Sequence, residues 1–256
     1  MSDQPTLPPP PPPVPPGGGV WADAPTPQQA PVDPAQLRGL RSLSTAVMAL
    51  VAVVAMINLA SVPNELAYLS NLQGVLDGQI PDLGKIQDQE DLRATFGLLS
   101  IISLVVAGVV WVMWQQRARA CAEQMGARGQ RHGRGLAIFG WAIPIANLFV
   151  PKQVTDDLWR ASDPDAKDVA HIEGRPVWGV INGWWGLWII GGVIGRFIFR
   201  ADNPDTLDEL ESFTSSVRLG LVATVLTLAS AALGILIVHR ITARLLERAV
   251  RRGVAV

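Results

Sequence analysis

Hydrophobic and polar positions along this chain fall into long blocks rather than a short alternation. Beyond the proline-rich head, five long stretches carry no charged residue: 42–64, 94–116, 135–151, 176–195 and 219–238. A helix needs ~20 apolar residues to cross the ~30 Å hydrocarbon core of a bilayer. The first, second and fifth stretches reach that length. The fourth continues apolar past Arg196 to Phe199, and an arginine so close to a helix end can carry its head to the interface. Weak polar groups inside the stretches, such as Asn58, Ser103, Asn182 and Thr224, suit hydrogen bonds along or between helices.

The third stretch is different. It is the shortest, and Pro144 interrupts its middle while Pro151 closes it. An internal proline removes one helical hydrogen bond and clashes with the preceding turn. Length and breakers together predict a re-entrant or interfacial element over about 135–161.

Charge supplies an independent test. The connection 63–93 holds six acidic residues against Lys85 and Arg93, whereas the loop 117–134 holds five arginines against Glu123. The connection 200–216 is acidic again, and the chain ends with Arg240, Arg244, Arg248, Arg251 and Arg252 against Glu247. Lys and Arg near the ends of spans favour the cytoplasmic side. Four spans place every basic cluster there, Arg38 and Arg41 included; a fifth through 135–151 would put the C-terminal arginines outside. The expected fold is therefore all-α. It is a polytopic membrane protein with four transmembrane helices at about 42–62, 95–115, 177–199 and 217–239, plus the short proline-broken segment. Both ends are expected in the cytoplasm and the protein in the cell membrane.

Composition agrees. The chain is 49% hydrophobic and 17% charged, with a mean hydropathy of +0.27, against about 25% charged residues in an ordinary soluble domain. Thirteen of the 20 prolines precede Gln36. Such a run favours solvated polyproline II over a packed core, so residues 1–37 are expected to be a disordered Pro/Gly-rich cytoplasmic tail and 38–256 the membrane domain. No apolar core lies near the start, as a secretory signal would require. The single cysteine, Cys121, allows neither an intrachain disulfide nor a thiolate metal cluster, and is expected to be a reduced residue facing the cytoplasm.

Two amphipathic patterns flank the spans. On a helix from Lys152, Val154, Leu158 and Trp159 come together while Asp156, Asp157 and Arg160 lie mostly elsewhere. This element is expected to lie along the inner membrane surface or pack against helix ends. Leu66, Leu69, Leu72 and Leu76 outline one face of a short outer helix.

The run from Gly140 to Ser162 carries Trp141, Pro144, Asn147 and Pro151 in a Trp-x-x-Pro-x-x-Asn-x-x-x-Pro element, followed by Asp157, Trp159 and Arg160. It resembles the signature of a family of actinobacterial membrane proteins, the domain of unknown function 4328. The Pro-rich head, Arg117-Ala-Arg119, Trp184-Trp185 and Thr206-Leu-Asp-Glu-Leu-Glu211 extend the similarity over roughly residues 36–248. The resemblance implies an integral membrane protein of four or so spans and brings no activity with it.

Trp141, Pro144, Asn147, Pro151, Asp157, Trp159 and Arg160 are the candidate functional or structural motif. Broken backbone at membrane depth must find partners in protein or water, and such segments can line substrate or ion sites. A structural wedge capping the inner helix ends is the favoured reading, because nothing charged lies inside the broken part. In the fourth stretch, Trp184, Trp185 and Trp188 share a helical face opposite Gly179, Gly183 and Gly186. Helix packing through the small residues is expected, with an aromatic-lined cavity as the alternative. The loop Asp163-Pro-Asp165-Ala-Lys-Asp168 lacks the glycine and closing glutamate of a calcium site, and His132, His171 and His239 have no ligand spacing.

No catalytic, metal or cofactor constellation is recognised. The basic clusters suit anionic headgroups at the inner surface rather than nucleic acid. The expected function is that of a non-enzymatic scaffold or regulatory interaction protein, whose partners are the bilayer and other membrane proteins or a second copy. The alternative is a small transporter or channel using 141–151, although the spans lack the ionisable groups that coupling usually needs.

Overall fold

The structure, a computed structural model, describes residues 33–165, 175–198 and 206–253. The expected tail up to residue 32, Asp168 and His171 lie outside the described residues. Every regular element among those described is helical: α1 (Pro34–Leu76), α2 (Leu83–Gln124), α3 (Arg134–Phe139), a single 3-10 turn (Ala146–Leu148), α4 (Val150–Ala161), α5 (Gly179–Ile198) and α6 (Leu207–Arg251).

The long helices start where side chains can satisfy their first amides. Asp33 accepts from the Ala35 N–H, with Pro34 at the first helical position, and Asp82 accepts from the Lys85 N–H. Thr206 and Glu209 form a reciprocal capping box on α6. In α6, Asp208 and Glu209 sit in the first turn and Arg248 and Arg251 in the last, the order that complements the helix dipole.

Three helices are long and apolar enough to cross a membrane: α1, α2 and α6, with 43, 42 and 45 residues. At ~1.5 Å per residue they measure about 63–68 Å, roughly twice a hydrocarbon core. The fourth expected span is α5, which has 20 residues. Its glycines, its three tryptophans, Asn182 and Arg196 dilute its hydropathy, and it does not join the other three on that measure.

The short outer helix expected from Leu66, Leu69, Leu72 and Leu76 is not a separate element. α1 runs unbroken through Pro63, and Leu66 is 51% exposed whereas the buried residues there are Tyr68 and Leu72. A proline within a helix costs ~3 kcal/mol or more. Continuity is favoured by Tyr68 packing edge-on against Phe213 and by Leu72 joining Val217 in a small core.

Directions alternate along the four long elements. Asn58 Nδ2 donates to Ser100 Oγ at 3.0 Å and Asn64 Nδ2 to the Gln89 carbonyl at 3.0 Å, so α1 and α2 are antiparallel. Gly183 faces Leu233 and Gly191 faces Leu226, so α5 and α6 are too. One end of the bundle gathers Glu65, Glu90, Asp91, Asp208 and Glu209; the other gathers Arg38, Arg117, Arg119, Arg244 and Arg248. The main core lies toward this basic end. At mid-height the bundle turns apolar side chains outward, among them Met56, Ile101, Val105 and Val225, as a surface in contact with lipid or another protein would.

Candidate functional site

The segment between α2 and α5 folds into the basic end and begins and finishes there. α3 ends at Gly140, where an added Cβ would lie 2.6 Å from the Leu136 carbonyl oxygen and 2.6 Å from Val150 Cγ1. Only glycine fits that crossing. The chain then passes through Trp141, Pro144 and Asn147, and re-enters helix at Val150-Pro151, where a proline costs no hydrogen bond.

Breaking the helix frees backbone groups, and the surrounding side chains take them up. Trp185 Nε1 donates to the Leu148 carbonyl at 3.2 Å. Thr155 Oγ1 donates to the Pro151 carbonyl at 2.9 Å and accepts from Gln115 Nε2 at 3.2 Å. Gln115 Oε1 in turn accepts from Trp141 Nε1 at 3.2 Å. Gln115 and Thr155 are fully buried, so this relay ties the broken segment to α2 and α4 inside the core. Asn147 and Pro144 stand apart from it. Among the described residues the Asn147 side-chain oxygen has no partner, and Pro144 is exposed.

On α4 the polar side is covered as well as the apolar one. Val154 and Leu158 are buried, but Asp156 and Asp157 are buried too, each 3% exposed. A buried carboxylate needs paired charge and hydrogen bonds. Arg131 supplies both to Asp157, its Nε donating to Oδ1 at 2.9 Å and its backbone N–H to Oδ2 at 3.0 Å. Arg160 Nη1 lies 3.7 Å from the same carboxylate, and Lys152 Nζ donates to Asp156 Oδ2 at 2.8 Å. Sequence spacing could not show this because Arg131 comes from the preceding loop.

Trp159 stacks on Trp178, with centroids 4.9 Å apart, and carries the Arg244 guanidinium 3.8 Å from its ring centre, a cation–π contact. Asp163 accepts from Arg175 at 2.7 Å and Asp165 accepts from Arg251, so these two loop carboxylates engage arginines.

Arg248 was read from the sequence only as part of a basic end. It is 2% exposed, and its guanidinium donates to the Ala161 carbonyl at 2.8 Å and the Met125 carbonyl at 3.1 Å. It thereby serves the C-terminal ends of α4 and α2 at once, where a cation is favoured. Burial first, with Arg252 and Arg175 nearby, lowers its pKa to about 10, against the opposing pull of Asp163. Its spacing from Ile241 and Leu245, which are buried, was the available signal.

The expected cytoplasm-facing thiol is corrected as well. Cys121 is fully buried, its Sγ 3.9 Å from the Gln36 carbonyl, because it lies on the face of α2 that α1 covers. Burial pushes its pKa up to about 11, with Arg117 offsetting part of the rise.

Trp184, Trp185 and Trp188 meet indoles from two other elements. Trp184 stacks on Trp111 at 5.2 Å, and Trp141 meets Trp185 and Trp188 edge-on at 6.5 and 6.2 Å. Of the three glycines expected to face a neighbour, Gly183 meets Leu233, while Gly179 and Gly186 face open space. The indoles Trp111, Trp141, Trp184 and Trp188 border a cavity of about 300 Å³ with Ser230 on its wall. A wider, more open groove of about 720 Å³ runs beside α2 from Gly108 and Met113 to Gln116 and Arg117. Among the described residues no cluster of His, Cys, Asp or Glu could hold a metal ion.

No curated protein matches the chain, and neither does any solved structure. A family model does, over residues 79–243, more than half of the chain; the match takes in α2, the tryptophan-proline element, α5 and most of α6, and leaves α1 outside. The chain thus belongs to the family described as Domain of unknown function (DUF4328).

Proposed function

We propose that this chain is a non-enzymatic interaction protein of the cell membrane that crosses the bilayer four times. In this reading α5 is the third span, the basic end is cytoplasmic, and 134–161 is a re-entrant plug entering from that side. Positive-inside bias supports the orientation. Phe139, Ile143, Ile145 and Phe149, all exposed apolar side chains on the broken segment, support its contact with hydrocarbon. α5 counts as a span because it packs along α6 while its Trp face meets the plug.

The observation that carries the non-transport reading is the buried relay from Trp141 through Gln115 to Thr155. A permeation path would leave such groups facing water; here they fasten the plug to the bundle. At the opposite end, α1, α2 and α6 continue as an acidic stub built around Tyr68, a surface suited to an external partner. Transport through 141–151 remains the second reading, favoured by the unpaired Asn147 oxygen.

Two measurements test this. Topology reporters fused in the 126–133 loop and after residue 163 should report the same compartment; opposite compartments would overturn the four-span reading. Asn147→Ala should leave any flux from reconstituted vesicles at the wild-type level, and loss of a wild-type flux would favour transport.

A further inference from the structure

Most arginines at the basic end are committed to the protein. Arg119 pairs with Glu123, Arg131 with Asp157, Arg244 with Asp163, and Arg248 with backbone carbonyls. Arg117 differs. Among the described residues it makes no ion pair or hydrogen bond, although it is half-buried. Its guanidinium lies along α1, 3.5 Å from where a Cβ on Gly39 would sit, so backbone backs it on one side. A half-buried cation without an anionic partner among the described residues, at the rim of an apolar groove, calls for an anionic acceptor.

The groove itself has the dimensions of a chain site. Gly108, Val112 and Met113 precede Gln116 and Arg117 on the wall that α2 contributes, with Leu43 and Trp141 opposite. Nine residues of helix separate Gly108 from Arg117, about 13 Å of rise. The volume of about 720 Å³ falls within the range of ~300–1,000 Å³ common for ligand sites. Gly108 and Trp141 line both the groove and the tryptophan-walled cavity, and a Cβ on Gly108 would meet nothing within 4 Å. The two spaces therefore adjoin where α2 has no side chain.

We propose that this groove holds one anionic phospholipid of the surrounding membrane, its phosphate on Arg117 and an acyl chain laid past Gly108 toward the tryptophan cavity. The assignment rests on the membrane-spanning reading above and adds to it a specific bound molecule. It differs from general attraction of headgroups to a basic surface, because Arg117 faces a groove rather than open solvent. Charge complementarity selects the occupant: a zwitterionic lipid brings a second cation to Arg117, and a peptide strand would leave its amides unmatched against Val112 and Met113.

The test uses the full chain purified in mild detergent and observed by native mass spectrometry. Phosphatidylglycerol and phosphatidylcholine of the same acyl chains are added in turn. One phosphatidylglycerol should be retained through detergent exchange with a preference of about fivefold over phosphatidylcholine, the scale of one well-placed cation. Arg117→Gln should abolish the preference, Arg240→Gln at an exposed site on α6 should keep it, and Gly108→Leu should lower retention of both lipids. Equal retention of the two lipids by the wild-type protein overturns the proposal without needing any variant. Equal losses in Arg117→Gln and Arg240→Gln also overturn it, in favour of diffuse attraction, and a lipid-free dimer overturns it in favour of a second copy. Because the readout is independent of orientation, its failure leaves the topology reporters to judge the four-span reading alone.

Discussion

Arg131 holds Asp157 by two routes, through its side-chain Nε to one carboxylate oxygen and through its backbone N–H to the other. The arrangement fixes the loop before α3 against the helix after the broken segment, closing the plug at its neck. A double-mutant cycle with Arg131→Gln and Asp157→Asn, read by unfolding in detergent, should give a coupling of about 1–2 kcal/mol. The figure is discounted because the Arg131 side chain is 36% exposed and solvent screens it. Additive effects of the two changes would show that the contact does not close the neck.

Arg248 should be less replaceable than any other arginine at this end. Truncation to Met keeps the stem but leaves the Ala161 and Met125 carbonyls buried without a donor, at a cost of about 2–4 kcal/mol. Lysine should rescue only part, since one ammonium cannot span both carbonyls. Melting of Arg248→Met no lower than that of the exposed control Arg240→Gln would refute the double-cap role.

Gly140→Ala should be the most damaging small substitution in the plug. The new methyl meets a backbone oxygen and Val150 at distances that no rotamer relieves, and overpacking of this kind costs about 1–3 kcal/mol or more. Gly108→Ala, which faces open space, is the matched control. If the two variants melt together, the Gly140 crossing is not tight.

Cys121 should resist a maleimide from either side of the membrane at pH 7.5 and react only after denaturation. Its folded pKa lies above the ordinary 9.0, at about 11, so the neutral thiol is favoured by the fold. That contribution to stability is whole below pH 9 and is lost as pH rises toward 11. Rapid labelling of the native protein after lysis would contradict its burial.

Much of the architecture was legible in the sequence because apolar block length and charge segregation are direct consequences of bilayer physics. The stretches around Val54, Ala107 and Ser230 all became the middle of long helices, and the Pro144–Pro151 breakers marked where the chain would turn. The site was read less fully. Trp141, Pro151, Asp157, Trp159 and Arg160 are drawn into one packed assembly, but Asn147, chosen for its hydrogen-bonding capacity, leaves its oxygen unpaired. Partners from distant segments escaped notice, Gln115 for Trp141 and Arg131 for Asp157, because neither lies at a helical spacing from the residue it holds. Helix length was underestimated for a different reason: Leu66, Leu69, Leu72 and Leu76 marked a helical face, but their spacing could not show that it continues α1 through Pro63.

The uninterrupted run of α1, α2 and α6 has a mechanical corollary. Three rods of about 65 Å meet around Tyr68, and α2 and α6 are joined again where Trp114 Nε1 donates to Thr242 Oγ1 at 3.0 Å. Joined near both ends, the three rods resist splaying, and the acidic and basic ends of the bundle keep a fixed separation.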